Sequence, residues 1–225
     1  MLIVLEGLDG AGKSTQLRMM TSYLSSMGRN VEYLHFPRYD APVYGELIGK
    51  FLRGDFGAID QVHPQLVALL FAEDRRDAAV TVRRWMEEGR VVVLDRYVYS
   101  NIAFQCAKLA SAEEAAALRD WIFDLEYRYY GIPRPTLNLF LDVPIGFVDA
   151  KLRDGRQGGD RGYLQGKSDI HEADIRFQEK VRKLYLEQCG RDKAFLRIDC
   201  SDDAGRMLPA AEIFQRIRTQ IETVL

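Results

Sequence analysis

The feature that most constrains this chain is a glycine-rich run near its start, G-L-D-G-A-G-K-S, which follows the apolar residues 2–5. The run fits the pattern G-x-x-x-x-G-K-[ST], in which backbone N–H groups cradle phosphates. The glycines allow a tight wrap, the lysine reaches phosphate oxygens, and the hydroxyl can ligate Mg²⁺. A helix opening at Lys13 would add its positive end to the same anion. The sequence therefore predicts a nucleotide-triphosphate site made by Gly7, Leu8, Asp9, Gly10, Ala11, Gly12, Lys13, Ser14 and Thr15.

Length, charge and cysteine content narrow the class of protein. With 225 residues the chain can build one α/β domain with a well-buried core, so we expect a single domain over residues 1–225. The formal net charge of −2 gives no global positive field that would attract nucleic acid or an anionic membrane. No apolar segment approaches the ~20 residues of a membrane helix, and the start lacks a secretory layout, which favours the cytoplasm. The three cysteines have no metal-ligand spacing and suit reduced, packing roles.

Five short apolar runs predict a parallel sheet. They cover residues 2–5, 31–36, 91–94, 137–141 and 194–198, and the stretches between them are long enough for crossover helices. The continuous run Val-Val-Val-Leu at 91–94 is typical of a strand buried on both faces. Helices are predicted over 16–27, 63–88, from 111 to about 130, and from about 169 to 188. We therefore expect an α/β fold, a five-stranded parallel sheet with helices on both faces.

Residues 151–168 differ in composition from the rest of the chain. Five glycines alternate there with basic residues, and few apolar side chains could anchor the segment. Such a composition is typical of a mobile basic loop, so we predict a lid at about 151–168.

A second chemical signal, Asp95-Arg96, follows the buried strand at 91–94. The carboxyl ends of parallel strands are where ligands bind in open α/β sheets. An aspartate there can hold the Mg²⁺ shell, and the adjacent arginine can bind phosphate through a bidentate pair of hydrogen bonds. The ordinary alternative is a salt bridge at the strand end, which is common and carries little information by itself.

Three further features are explained together by an acceptor nucleotide. Arg38 follows the second predicted strand and can bind a monophosphate, Phe71 can stack on a base, and Arg75 lies one helical turn beyond Phe71. Each of these residues also has an ordinary structural interpretation. Arg38 could be a charged surface residue, Phe71 could be an aromatic residue of the core, and Arg75 could belong to a solvent-exposed run of charged residues. The three histidines, His35, His63 and His171, have no partner at metal-ligand spacing, so we expect core or capping roles for them.

Four segments together resemble the thymidylate kinase family. They read G-L-D-G-A-G-K-S-T-Q at 7–16, F-P-R at 36–38, L-F-A-E-D-R at 70–75 and D-R-Y-V-Y-S-N-I-A-F-Q at 95–105. The resemblance runs from the first strand to the helix after the lid. It implies a P-loop kinase fold, transfer of the γ-phosphate of ATP to dTMP to give dTDP, a Mg²⁺ requirement, and a cytosolic homodimer.

The resemblance also implies roles for individual residues. Phe71 would stack on thymine, Arg75 would contact a carbonyl oxygen, and Asn101 would lie near the base edge. The remaining dTMP-binding residues would be Asp9, Arg38, Arg96, Tyr97 and Phe104, of which Arg38 and Arg96 hold the phosphate. Ser14 and Asp95 would form the Mg²⁺ site.

One departure from the family concerns the catalytic arginine. Some thymidylate kinases carry a basic residue inside the phosphate loop just after the acidic one, whereas this chain has Gly10 there. The chain thus resembles the subgroup with the catalytic arginine in the lid. Lys13 and Arg96 would act with a lid arginine, for which Arg153, Arg156 and Arg161 are the candidates. Glu172, after the lid, is a further candidate contact with the acceptor.

Other functions remain open on the sequence alone. Another deoxynucleotide kinase, or a deoxynucleoside kinase, could share this fold; the latter would need a carboxylate base, for which Glu6 is a candidate, because an alcohol is not ionised at neutral pH. A non-catalytic nucleotide-binding switch is a third possibility, which a second anion site formed by Arg38 and Arg96 would argue against. A nucleic-acid-dependent ATPase is disfavoured because the chain lacks a basic track.

Overall fold

A computed structural model of the chain describes residues 1–154, 159–172 and 174–225. Its centre is a five-stranded sheet with strand order β2-β3-β1-β4-β5, in which every neighbouring pair is parallel. The strands are β1 (Leu2–Gly7), β2 (Val31–His35), β3 (Val91–Asp95), β4 (Leu137–Asp142) and β5 (Phe195–Asp199). All five apolar runs are therefore confirmed as strands of one parallel sheet.

Eight α-helices connect and cover these strands in the described ranges. They are α1 (Lys13–Ser26), α2 (Tyr44–Leu52), α3 (Pro64–Glu87), α4 (Val98–Cys106), α5 (Ala112–Phe123), α6 (Ile145–Arg153), α7 (Ile175–Arg191) and α8 (Ala210–Glu222). A π-helical segment (Asp124–Tyr129) continues α5, and a 3-10 turn (Gly159–Leu164) follows α6. Helix α1 packs on α8, while α4 packs on α3, α5 and α7, so that helices cover both faces of the sheet.

Two helix predictions need correction. The helix expected from residue 169 begins only at Ile175, because the Asp169 side chain accepts a hydrogen bond from the His171 N–H and thereby stabilises a local turn instead. Asp174 then caps α7 by accepting from the Arg176 N–H. The helix expected from residue 111 to about 130 is α-helical only to Phe123 and continues as the π-helical segment. His63 caps α3, as predicted.

The core explains why the strands read as continuous apolar runs. Every residue of β1, β3 and β4 is buried, as expected for central strands with helices on both faces. A smaller apolar cluster, formed by Ile48, Phe51, Leu52 and Val67, packs against Tyr163 of the 3-10 turn. None of the helices in the described ranges combines the length and apolar character needed to cross a membrane. The cysteines are free thiols.

Candidate active site

A cavity of about 490 Å³ opens at the carboxyl ends of β1, β2 and β3. The loop after β1 forms one end, and residues of α3 and α4 form the other. Parallel strands bring the loops that follow them to a single edge of the sheet, which is why segments distant in sequence meet there. Nine of the predicted site residues that form the phosphate loop or the strand ends line it: Asp9, Gly10, Ala11, Gly12, Lys13, Ser14, Thr15, Asp95 and Arg96.

The glycine-rich run adopts the wrapped conformation that its sequence predicts. Gly10 and Gly12 have φ of 75° and 82°, a region that side chains with a Cβ rarely adopt. Gly12 precedes α1, and its carbonyl accepts from the N–H groups of Thr15 and Gln16. The start of α1 therefore points toward the cavity, where its positive end favours an anion. Gly7 lies behind the loop and does not line the cavity.

The Lys13 side chain is buried within the phosphate loop. Its Nζ donates to the carbonyl oxygens of Leu8, at 3.1 Å, and Gly7, at 3.4 Å. The ammonium thus lies at the loop's own carbonyl groups beside the cavity, within the reach of a phosphate that the loop would hold.

Asp95, the last residue of β3, faces the same end of the cavity. Its side chain is only 4% exposed, and its Oδ1 has no hydrogen-bond partner in the part of the chain that the structure describes. A buried carboxylate oxygen is costly unless it has a partner. Ser14 also lines the cavity, so two hard oxygen donors are available there, the ligand type that Mg²⁺ prefers.

Arg96 is buried at the centre of the cavity wall. Its Nη2 donates to Asp9 Oδ1 at 2.7 Å, its Nη1 donates to Ser100 Oγ at 3.1 Å, and the guanidinium lies over the Phe104 ring. Burial acts to lower the pKa of Arg96, but the acidic groups around it, Asp9 first among them, together outweigh burial, and the pKa is raised. Its backbone has φ of 67°, which is uncommon for a residue other than glycine. The cavity therefore contains a fixed positive charge suited to an anion.

Glu6, in β1, holds the start of α4 against the sheet. Its carboxylate accepts from the N–H groups of Tyr97 and Ser100, from Ser100 Oγ and from the Tyr185 hydroxyl. Burial raises the pKa of Glu6 despite these contacts. Because Glu6 is not among the cavity-lining residues, this arrangement fits a role in ordering the site rather than that of a base acting on a bound alcohol.

At the far end of the cavity lie Phe71 and Arg75 from α3 and Asn101 and Phe104 from α4. The Arg75 guanidinium donates from Nε to Glu126 Oε2 at 2.5 Å and from Nη2 to Glu126 Oε1 at 2.6 Å. Asn101 Nδ2 donates to the Ala68 carbonyl and to Glu126 Oε1, both at 3.0 Å. A flat aromatic ring with two polar groups beside it can bind a planar heterocycle.

Two predicted dTMP-binding residues do not line the cavity. Arg38 donates through its backbone N–H and Nε to Asp74 and through Nη2 to Asp77, so its guanidinium is directed at α3. Tyr97 packs on Phe36 in the core, and its hydroxyl donates to a backbone carbonyl at position 133. Leu8, predicted for ATP, is also buried behind the loop.

The predicted lid lies partly within the described residues. Arg153 ends α6 and pairs with Asp149 on the protein surface. Arg156 lies outside the described residues, and only the backbone of Arg161, in the 3-10 turn, is described. Glu172 does not line the cavity. The roles of the lid arginines therefore remain predictions.

Four further cavity residues, Tyr39, Tyr163, Asp169 and His171, were given no ligand-binding role from the sequence, and for His171 only a core or capping role was expected. Tyr39 stacks on Tyr163 with ring centroids 3.7 Å apart, and the Tyr163 hydroxyl donates to Asp169 at 2.6 Å. Burial, with Asp9 nearby, raises the pKa of Asp169 to about 7. His171 is a cavity residue whose Nε2 has no partner among the described residues, and burial lowers its pKa. No local pattern marks these residues, because only the fold brings them to the cavity.

Lys151 is a basic residue that the sequence interpretation also passed over. It belongs to α6 and lines the cavity next to the phosphate loop. A Cβ at Gly10 would come within 3.2 Å of the Lys151 Cβ. A larger residue at position 10 would therefore need the lysine stem to shift.

Fold and cavity define a nucleotide-binding α/β protein of the P-loop kinase class. A family model described as Thymidylate kinase matches residues 5–207. A thymidylate kinase of Mycobacterium tuberculosis is 33% identical over 211 residues, covering 92% of this chain and 95% of that protein. The human thymidylate kinase is 32% identical over 167 residues, covering 74% of this chain and 72% of the human protein.

A solved structure agrees with these sequence matches. The thymidylate kinase of Candida albicans superposes with a TM-score of 0.70 at 27% identity, covering 99% of this chain and 91% of that one. The chain belongs to the thymidylate kinase family.

Proposed function

We propose that this protein transfers the γ-phosphate of ATP to dTMP, giving dTDP and ADP. The observation that carries the proposal is a single cavity with a phosphate loop at one end and an arginine–asparagine pair beside an aromatic ring at the other. Family membership supports the same activity over the alternatives. The position of Glu6 outside the cavity lining argues against a deoxynucleoside kinase, which would need a base at the acceptor hydroxyl.

Recognition of thymine follows from the donors and acceptors at the base end. Arg75 offers N–H donors to a carbonyl oxygen, and Asn101 Oδ1, which has no partner among the described residues, is an acceptor for a ring N–H. Thymine carries such a carbonyl beside an N–H, whereas cytosine carries an amino group beside an unprotonated nitrogen. Phe71 would stack on the ring, and Phe104 would fill the space near the 2′ carbon.

Phosphoryl transfer needs charge neutralisation more than it needs a general base. The acceptor phosphate has its second pKa near ~6 and is largely dianionic at neutral pH. Two mutually repelling anions must be held in line, and charge on the transferred group must be balanced. Lys13 and Arg96 line the cavity and would supply positive charge that balances the phosphates. We assign Arg38 to the acceptor phosphate, after release from Asp77, and a lid arginine to the transferred group.

Magnesium is the cofactor that we propose for the donor nucleotide. Ser14 and Asp95 would hold it, directly or through water, and the unpartnered Asp95 Oδ1 supports this assignment. When bound with ATP, the ion would neutralise phosphate charge and orient the phosphate chain.

We also propose that the enzyme works in the cytoplasm as a homodimer. Leu66, Leu69 and Val80 of α3 are exposed apolar residues that a second copy could cover. Sedimentation equilibrium of the wild-type protein checks this, and a monomer at working concentrations would contradict it.

A coupled ADP-release assay with ATP and Mg²⁺ tests the activity. We would compare dTMP, dUMP, dCMP, dGMP, UMP and thymidine as acceptors. A strong preference for dTMP supports the proposal. Preference for thymidine would point to a nucleoside kinase, and the lack of any acceptor-dependent ADP release would point to a non-catalytic switch.

A further inference from the structure

The residue that connects the two base-reading groups is Glu126, which does not line the cavity. It lies in the π-helical segment between α5 and β4, and its side chain is 0% exposed. Its carboxylate accepts three hydrogen bonds, two from the Arg75 guanidinium and one from Asn101 Nδ2. One buried carboxylate therefore holds both polar groups that face the base end of the cavity.

The contacts of Asn101 determine which way its amide points. Its Nδ2 meets the Ala68 carbonyl and Glu126 Oε1, both of which can only accept a hydrogen bond. Rotating the amide by half a turn would set Oδ1 against these two acceptors and leave both without a donor. Glu126 and Ala68 therefore keep Oδ1 as the free acceptor of this side chain.

Glu126 also fixes the plane of the Arg75 guanidinium. Two parallel N–H···O bonds form the bidentate geometry that orients an arginine most strongly. Burial acts to lower the pKa of Arg75, but Glu126 and Asp74 together outweigh burial and the pKa is raised, so the guanidinium stays charged. The remaining N–H groups of the guanidinium are left for a ligand carbonyl.

We propose that Glu126 is a positioning residue for base selectivity, because it presents Arg75 as a donor and Asn101 as an acceptor side by side. The ligand class that fits is a pyrimidine nucleotide with a carbonyl next to a ring N–H. Cytosine is rejected because its amino group would meet the Arg75 donor and its unprotonated ring nitrogen would meet the Asn101 acceptor. This inference rests on the proposed dTMP kinase activity.

Glu126→Gln tests the proposal with little change of shape. The new amide has one acceptor oxygen for the three donor atoms of Arg75 and Asn101, so in either orientation of the amide at least one of these donors loses its partner. We expect the ratio of kcat/KM for dTMP to that for dCMP to fall about tenfold, with KM for ATP unchanged. Asp124→Asn is the matched control, since it removes the same charge from the same segment at an exposed position.

A double-mutant cycle separates positioning from general damage. If Glu126 acts in part through Asn101, Glu126→Gln should change the dTMP-to-dCMP ratio by a smaller factor in an Asn101→Ala background than in the wild-type background. Equal effects in both backgrounds would overturn the inference, as would a folded Glu126→Gln protein with wild-type selectivity.

Loss of the buried carboxylate leaves Arg75 without its counter-ion and could prevent folding. Circular dichroism identifies that outcome, and Glu126→Asp then replaces the first variant. The shorter side chain cannot keep all three contacts, so we expect selectivity to fall about threefold; wild-type selectivity would overturn the inference. A wild-type enzyme that uses dCMP as well as dTMP would instead contradict the proposed function.

Discussion

The two ends of the cavity are built by different means. At the phosphate end, the geometry comes from backbone, with Gly10 and Gly12 at positive φ and the start of α1 directed at the ligand. At the base end, it comes from side chains of three separate segments, Arg75, Asn101 and Glu126. A site formed by backbone groups can be specified by eight consecutive residues. A site formed by side chains of separate segments depends on long-range packing to bring those side chains together. The two ends should therefore respond differently to substitution.

The largest effect is expected at the phosphate end from Lys13→Ala. Removal of the ammonium leaves developing phosphate charge unbalanced, so we expect kcat to fall by about 10³-fold or more while the fold and dTMP binding persist. Steady-state kinetics and dTMP titration by calorimetry check this. Lys50→Ala, which removes a surface lysine paired with Glu46, is the control. Full activity in Lys13→Ala would rule out the phosphate-loop assignment.

Arg75→Ala tests the base end. Loss of its contact with the base carbonyl should raise KM for dTMP by about 10²-fold and leave KM for ATP unchanged. The variant also leaves Glu126 buried without its partner, so assays belong well below its unfolding temperature. Arg182→Ala serves as the control, because it removes an arginine from a buried carboxylate, Asp142, away from the cavity. Unchanged dTMP affinity would refute base recognition by Arg75.

Gly12→Ala measures how far the phosphate end depends on backbone. A Cβ there meets nothing within 4 Å, so the cost is conformational, and we expect kcat/KM for ATP to fall about tenfold. Gly28→Ala introduces the same type of strain at φ 75°, also without a clash, but far from the cavity. Both variants should lose stability, and only Gly12→Ala should lose ATP-dependent activity. Equal kinetics in the two would contradict the backbone account.

The smallest effect concerns Asp169, between the two ends. Its pKa is about 7 in the folded protein and near 3.8 ordinarily, so the folded state retains a proton that the unfolded state releases between these values. Its contribution to stability therefore falls as the pH rises from about 4 to 7. Asp169→Asn should flatten the decline of Tm over this range by roughly a few degrees, whereas the exposed Asp203→Asn should not. Parallel Tm profiles for wild type and Asp169→Asn would contradict the raised pKa.

Elements with a strong local signal were predicted correctly. The five strands and the helix after the phosphate loop follow from apolar runs and from the glycine pattern. Helix α7 starts later than predicted because the Asp169 carboxylate competes for the backbone, an effect that depends on side-chain geometry. The helices α2, α4, α6 and α8 were not predicted individually.

The same distinction holds for the site. The phosphate loop and the pair Asp95-Arg96 could be placed at the cavity from sequence, since both follow strands at one sheet edge. Glu126 had no such signal, because its partner Arg75 lies 51 positions away and only packing joins them. The resemblance to the family predicted that Arg38 and Tyr97 bind dTMP, but a pattern of residue types does not determine which way a side chain points.

The ion pair between Asp9 and Arg96 has a thermodynamic consequence for the whole cavity. It joins the loop after β1, which would hold the donor, to the end of β3, which would hold the acceptor phosphate. A nucleotide that disturbs this ion pair changes the electrostatic environment of the site that binds the other nucleotide. Because coupling free energies are reciprocal, the factor by which ATP shifts the affinity for dTMP must equal the factor by which dTMP shifts the affinity for ATP.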